Sequence, residues 1–101
     1  MDITTAFAKA LRTVRTQRGL TQEDFSMVSS RTYLSMLERG AGSPTLEKVE
    51  ALAGRMKVHP VTLMVLAYVN DQDDESLDDF LKMIADEVDE INRDGSQINQ
   101  Q

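Results

Sequence analysis

Residues 30–39, Ser-Arg-Thr-Tyr-Leu-Ser-Met-Leu-Glu-Arg, place short polar and cationic side chains at helical intervals. On a wheel of about 100° per residue, Leu34 and Leu37 fall on one side. Thr32, Ser35, Met36 and Arg39 fall on the other, with Arg31 at an edge near the helix start. Hydroxyls, a thioether and guanidinium groups on one narrow face can meet base edges and phosphates, and bulk there would block entry into a major groove. Arg31 can make a bidentate contact to guanine, worth about 1–3 kcal/mol of discrimination, or it can clamp a phosphate. Met36 can pack on a thymine methyl or be an ordinary exposed methionine. Thr32 and Ser35 are adaptable contacts or plain helix surface. Tyr33, at the flank, can reach a phosphate through its hydroxyl or pack its ring on a neighbouring helix.

Two further charges have structural work to do. Glu38 lies one turn beyond Leu34 and leans toward the core. It also sits at a helix C-terminus, where a carboxylate is unfavourable with the dipole, so it needs a cation. Arg15, one turn beyond Leu11, leans inward as well. An Arg15–Glu38 ion pair locking the first helix to the third is the expected solution; two separate surface charges are the alternative. Lys9, Arg12 and Arg18 are candidates for the phosphate backbone, although any charged helix face looks like this.

The elements that position these residues are all helical, since helix periods recur and period-two alternation is absent. A first helix, about 4–17, aligns Phe7, Leu11 and Val14 and stops at Gly19. Thr21 caps a second helix, with Asp24 completing an approximate capping box and Phe25 and Val28 facing inward. Ser29 and Ser30 form the break, and Ser30 caps a third helix that ends at Gly40. A turn-rich loop, Ala41 to Thr45, precedes a fourth helix capped by Thr45, with Leu46, Val49, Leu52, Ala53 and Met56 apolar. Pro60 opens a fifth, with His59 at its cap or merely exposed. After a polar linker, Asn70 to Asp74, a sixth helix covers about 76–93, and 95–101 reads as a frayed tail. Met27, Met56, Met64 and Met83 are expected as core filler.

The run "RGLTQED…SSRTYLSMLERG…SPTLEKVEALA" resembles the lambda-repressor/Cro-like family, also called the xenobiotic-response-element family, over about residues 7–67. The resemblance implies a five-helix bundle with helix-turn-helix, here followed by a C-terminal amphipathic acidic helix, whose third helix enters the major groove. It places Arg31, Thr32 and Met36 at base-reading positions with Ser35 beside them. Gln22 would touch a phosphate and brace the recognition helix, and Arg15 and Glu38 fall on the inter-helix ion pair. Between the caps Thr21 and Ser30 the chain is two residues shorter than the family's usual spacing and lacks the usual turn glycine, so the second helix must be short. The loop Ala41–Pro44 carries no Lys or Arg, so Arg39, Ser43 and backbone amides must serve as phosphate contacts.

The net charge of −6 argues against a nucleic-acid partner only until it is divided. Residues 1–70 carry nine Lys/Arg against six Asp/Glu, whereas 71–101 carry two against eleven. The chain is a mildly basic module with an acidic appendage, and a DNA reader needs a basic face rather than a basic total. Residues 1–69 are expected as the DNA-binding domain, 70–94 as the acidic amphipathic helix and 95–101 as a flexible tail. The fifth helix is apolar nearly all round, and relatives commonly dimerise there. On the sixth, Leu77, Phe80, Leu81, Ile84, Val88 and Ile91 form one stripe at three- and four-residue steps. Leu63, Leu66, Leu77, Phe80, Leu81, Ile84 and Val88 are therefore the expected dimer contacts. The acidic back of that helix is a solvated face or a segment that competes with DNA for Arg31 and Arg39.

Cysteine is absent, no signal peptide is read in MDITTAFAKALRTVRTQRG, and the apolar run 61–69 is too short to span a bilayer. A soluble cytoplasmic protein is expected. No nucleophile–base pairing, metal cluster or phosphate-cradling glycine loop is present, so an enzyme is not expected and no cofactor or metal is implied. The function that follows is a sequence-specific double-stranded DNA-binding transcriptional regulator, a repressor acting as a homodimer on a two-fold operator. The rival is an antitoxin-like or other protein-interaction module that grips a protein partner through residues 76–93.

Overall fold

The computed structural model describes residues 2–69 and 76–94, and the expected linker Asn70 to Asp74 and tail 95–101 lie outside them. The Thr4 N–H donates to the Asp2 carboxylate at 3.1 Å, and this cap opens α1, Ile3–Gln17. A single 3₁₀ turn follows, Gln22–Phe25, and then α2, Arg31–Glu38; α3, Leu46–Met56; α4, Pro60–Val69; and α5, Leu77–Asp94. Among the described residues every element is helical, and α1 packs against both α4 and α2. The all-α class is therefore as expected, with one revision. The second helix is reduced to one 3₁₀ turn, because only eight residues separate the caps Thr21 and Ser30 and four of them must turn the chain.

One core serves α1 to α4. Phe25, Leu11, Leu34, Leu37, Leu52, Met56 and Leu63 are its largest fully buried side chains, each worth about 1.5–3 kcal/mol in burial. Phe7, Val14 and Val49 complete it, and Val28, Met64 and Leu66 pack at its margin. Several apolar side chains lie outside this core, Met27 and Met83 against expectation. Met27 is 91% exposed, because the 3₁₀ turn has ended and its side chain leaves the bundle. Leu46 is 86% exposed at the first turn of α3, and Met83 is exposed on α5. Among the described residues no buried polar side-chain atom lacks a partner.

The helix ends are fixed locally. Gly40 adopts φ +73°, which lets its N–H reach the Leu37 carbonyl at 3.0 Å and the Ala41 N–H reach Met36 at 3.1 Å, closing α2. Pro60 occupies the first position of α4, and the Val61 N–H donates to His59 Nδ1 at 3.0 Å, so His59 caps that helix. The α5 helix buries no residue. Its ring contact is Phe80 on Tyr68, with centroids 6.5 Å apart, and Leu77 and Leu81 line a groove with Val61, Val65 and Leu66 of α4. Ile84, Val88 and Ile91 stay exposed. No helix among the described residues is long and apolar enough to cross a membrane.

Candidate nucleic-acid interface

The geometry of α2 begins at its caps. The Thr21 side chain accepts from the Asp24 N–H at 3.3 Å, while the Asp24 carboxylate accepts from the Thr21 N–H at 2.7 Å. This reciprocal box holds the 3₁₀ turn and keeps the Asp24 carboxyl below the usual carboxylate range, chiefly through the Thr21 backbone bond. The Ser30 hydroxyl then accepts from the Tyr33 N–H at 3.0 Å and sets the direction of α2. Leu34 and Leu37 are buried; Arg31 and Thr32 are exposed; Ser35 and Met36 are half-buried at the margin of the same outward face.

Behind that face lies a bidentate ion pair. Arg15 Nε donates to Glu38 Oε2 at 2.6 Å and Nη2 to Oε1 at 2.9 Å, with side chains only 12% and 5% exposed. The third guanidinium arm, Nη1, donates to the Leu20 carbonyl at 2.9 Å. Gln22 Nε2 adds a bond to Glu38 Oε1 at 3.1 Å, so this side chain braces the end of α2. One carboxylate thus ties α1, the 3₁₀ turn and α2 together. Its hydrogen bonds hold the Arg15 guanidinium above its ordinary pKa, against the opposing effect of burial.

The remaining outward groups are partly occupied. Arg39 Nη1 donates to Ser35 Oγ at 2.6 Å, which folds the guanidinium back along the outward face of α2. Met36 lies over Gly42, where an added Cβ would come within 2.9 Å of its methyl. Tyr33 packs partly against the core with Lys48 Nζ 5.4 Å from its ring centroid, the packing alternative of its two readings. Ser43 is exposed in the loop after α2, its hydroxyl 3.3 Å from that of Thr4.

Two expectations are corrected. Leu63 is fully buried in the core of its own chain and cannot serve a dimer contact. Arg18 turns away from the phosphate candidates: its Nε donates to the Met56 carbonyl at 3.0 Å, satisfying the C-terminus of α3. Two further cations, Lys48 and Arg55, support the site. Lys48 donates to the Val28 carbonyl at 2.7 Å, and Arg55 donates to the Asp24 carbonyl at 2.8 Å with its guanidinium 6.0 Å from the Phe25 ring centroid. Both hold the connection from the 3₁₀ turn to α2. No local sequence signal marks them, because their partners are 20 and 31 residues away.

Comparison with known proteins finds a family over this region. The helix-turn-helix family of the Cro/C1 type matches residues 11–63, which include the 3₁₀ turn, α2 and the Arg15–Glu38 lock. No curated protein matches the chain. With more than half its length covered by that match, the chain belongs to the Cro/C1-type helix-turn-helix family of DNA-binding transcription regulators.

Proposed function

We propose that the chain is a sequence-specific repressor that acts in the cytoplasm as a homodimer on a two-fold DNA operator. The outward face of α2 carries this reading: Arg31 and Thr32 stand exposed at its start while Leu34 and Leu37 are buried behind them. Arg31, Thr32, Ser35 and Met36 read bases; Arg39, Ser43 and Gln22 hold the strand. Two copies of α2 would read half-sites about one helical turn, roughly 34 Å, apart. A dimer seated across two adjacent grooves blocks polymerase by occupying its site.

The twofold contact is assigned to Leu66 on α4 with Leu77, Phe80, Leu81, Ile84 and Val88 on α5. Exposed apolar side chains on a helix that buries nothing support it, and they equally support a protein partner for α5, which is the second reading. Selection of bound fragments from random duplex DNA tests the main proposal. With the selected site in hand, Arg31→Ala relaxes sequence preference, whereas Arg39→Ala weakens all sequences alike and flattens the salt dependence. Binding left intact by both substitutions would refute the role of α2.

A further inference from the structure

The loop that follows α2, Ala41–Gly42–Ser43–Pro44, has no cation, yet a strand lying along α2 must have its phosphates met. An open groove of about 380 Å³ lies beside the C-terminal end of α2, between it and α1. Lys9 and Arg12 of α1 line it together with Arg39, which caps the C-terminus of α2. Its one carboxylate, Glu38, is already taken by Arg15 and Gln22, so it does not neutralise the other cations. Neither Lys9 nor Arg12 has an ion-pair or hydrogen-bond partner for its side chain among the described residues, and both are exposed. Three cations converge on one concavity with no resident acid to balance them, which is an arrangement suited to an anion.

We infer that this groove holds the phosphodiester backbone of the strand whose bases face α2, with Lys9, Arg12 and Arg39 as its clamp. The inference rests on the DNA-binding reading above and assigns the contacts that the cation-free loop cannot supply. Arg39 joins the two surfaces, since it lines the groove and donates to Ser35 on the recognition face. Lys9 and Arg12 stand three residues apart on α1, a rise of about 4.5 Å. Side chains three residues apart on a helix are neighbours on one face, so the pair can meet the same strand. Thr13, also in the groove, offers a hydroxyl beside them. Arg18, the third cation expected at phosphates from α1, is committed to the Met56 carbonyl and is left out.

The test compares the full chain with Lys9→Gln, Arg12→Gln and, as a control outside the groove, Lys57→Asn. Binding to the selected duplex is measured from low to moderate salt, with the far-UV spectrum confirming that each variant is folded. Lys9→Gln and Arg12→Gln should each lower the slope of log affinity against log salt by about 0.9 per bound protomer. They should leave the preference among sequences unchanged, and Lys57→Asn should leave the slope unchanged. A slope unaltered by both groove substitutions, with site preference retained, overturns the clamp alone. A parent chain that binds no duplex overturns the DNA-binding reading and the clamp with it.

Discussion

Glu38→Ala removes the acceptor of two guanidinium hydrogen bonds and of the Gln22 amide in one step. It strands a cation whose side chain is only 12% exposed. Breaking a buried pair from one side costs about 3–5 kcal/mol, because the remaining charge is left uncompensated. Arg15 keeps its bond to the Leu20 carbonyl, which places the expected loss at the lower end, about 3 kcal/mol. At about 4–8 °C per kcal/mol for a domain of this size, Tm falls by about 12–24 °C. Thermal and urea unfolding followed by far-UV circular dichroism would measure it. The paired variant Arg15→Met with Glu38→Leu supplies the contrast, because removing both charges and filling the volume should return stability to within about 1 kcal/mol of the parent. A Glu38→Ala loss below about 1 kcal/mol would show the pair behaving as an exposed one and refute the argument. So would a double variant as unstable as the single, since the loss would then come from packing rather than from an abandoned charge.

Asp24→Asn tests the capping box. The carboxyl lies below its ordinary value of 3.8 in the folded chain, so its contribution is present above that pH and is lost as pH falls through the lowered folded value. The variant should show a shallower decline in stability below about pH 4, and identical acid profiles would refute the assignment. Gly42→Ala forces its new methyl against the flexible end of Met36, so Met36 shifts at a cost below about 1 kcal/mol, read by urea unfolding. If Met36 reads a base, the same change alters preference at one position of the selected site; an unaltered preference removes Met36 from that role. Ile84→Asp with Val88→Asp places charges in the exposed stripe of α5 and should shift the chain to monomer in sedimentation while leaving Tm of the core unchanged. A persistent dimer would exclude that stripe as the contact.

The caps were legible in the sequence because each is a local event. Thr21, Ser30 and Thr45 meet amides within three residues, and Gly40 answers a backbone demand at its own position. The Arg15–Glu38 lock was legible too, although 23 residues separate the partners, because each helix wheel turns its charge toward the same core. What stayed illegible is long-range or undirected. The 3₁₀ turn is too short for periodicity to act, so the pattern does not separate Met27, which stands in solvent, from a core methionine. In α4 nearly every residue is apolar, and the pattern cannot tell buried Leu63 from half-buried Leu66. Arg18 could not be separated from Lys9 and Arg12 until the carbonyl of Met56, 38 residues on, came within reach.

That α5 contributes nothing to the buried core gives the chain two stabilities rather than one. Amides of α1 exchange only through global unfolding, whereas those of α5 open whenever its few contacts with α4 fail, so the two should exchange with solvent at widely different rates. Residues of the α5 stripe can then be exchanged without disturbing the shape of α2.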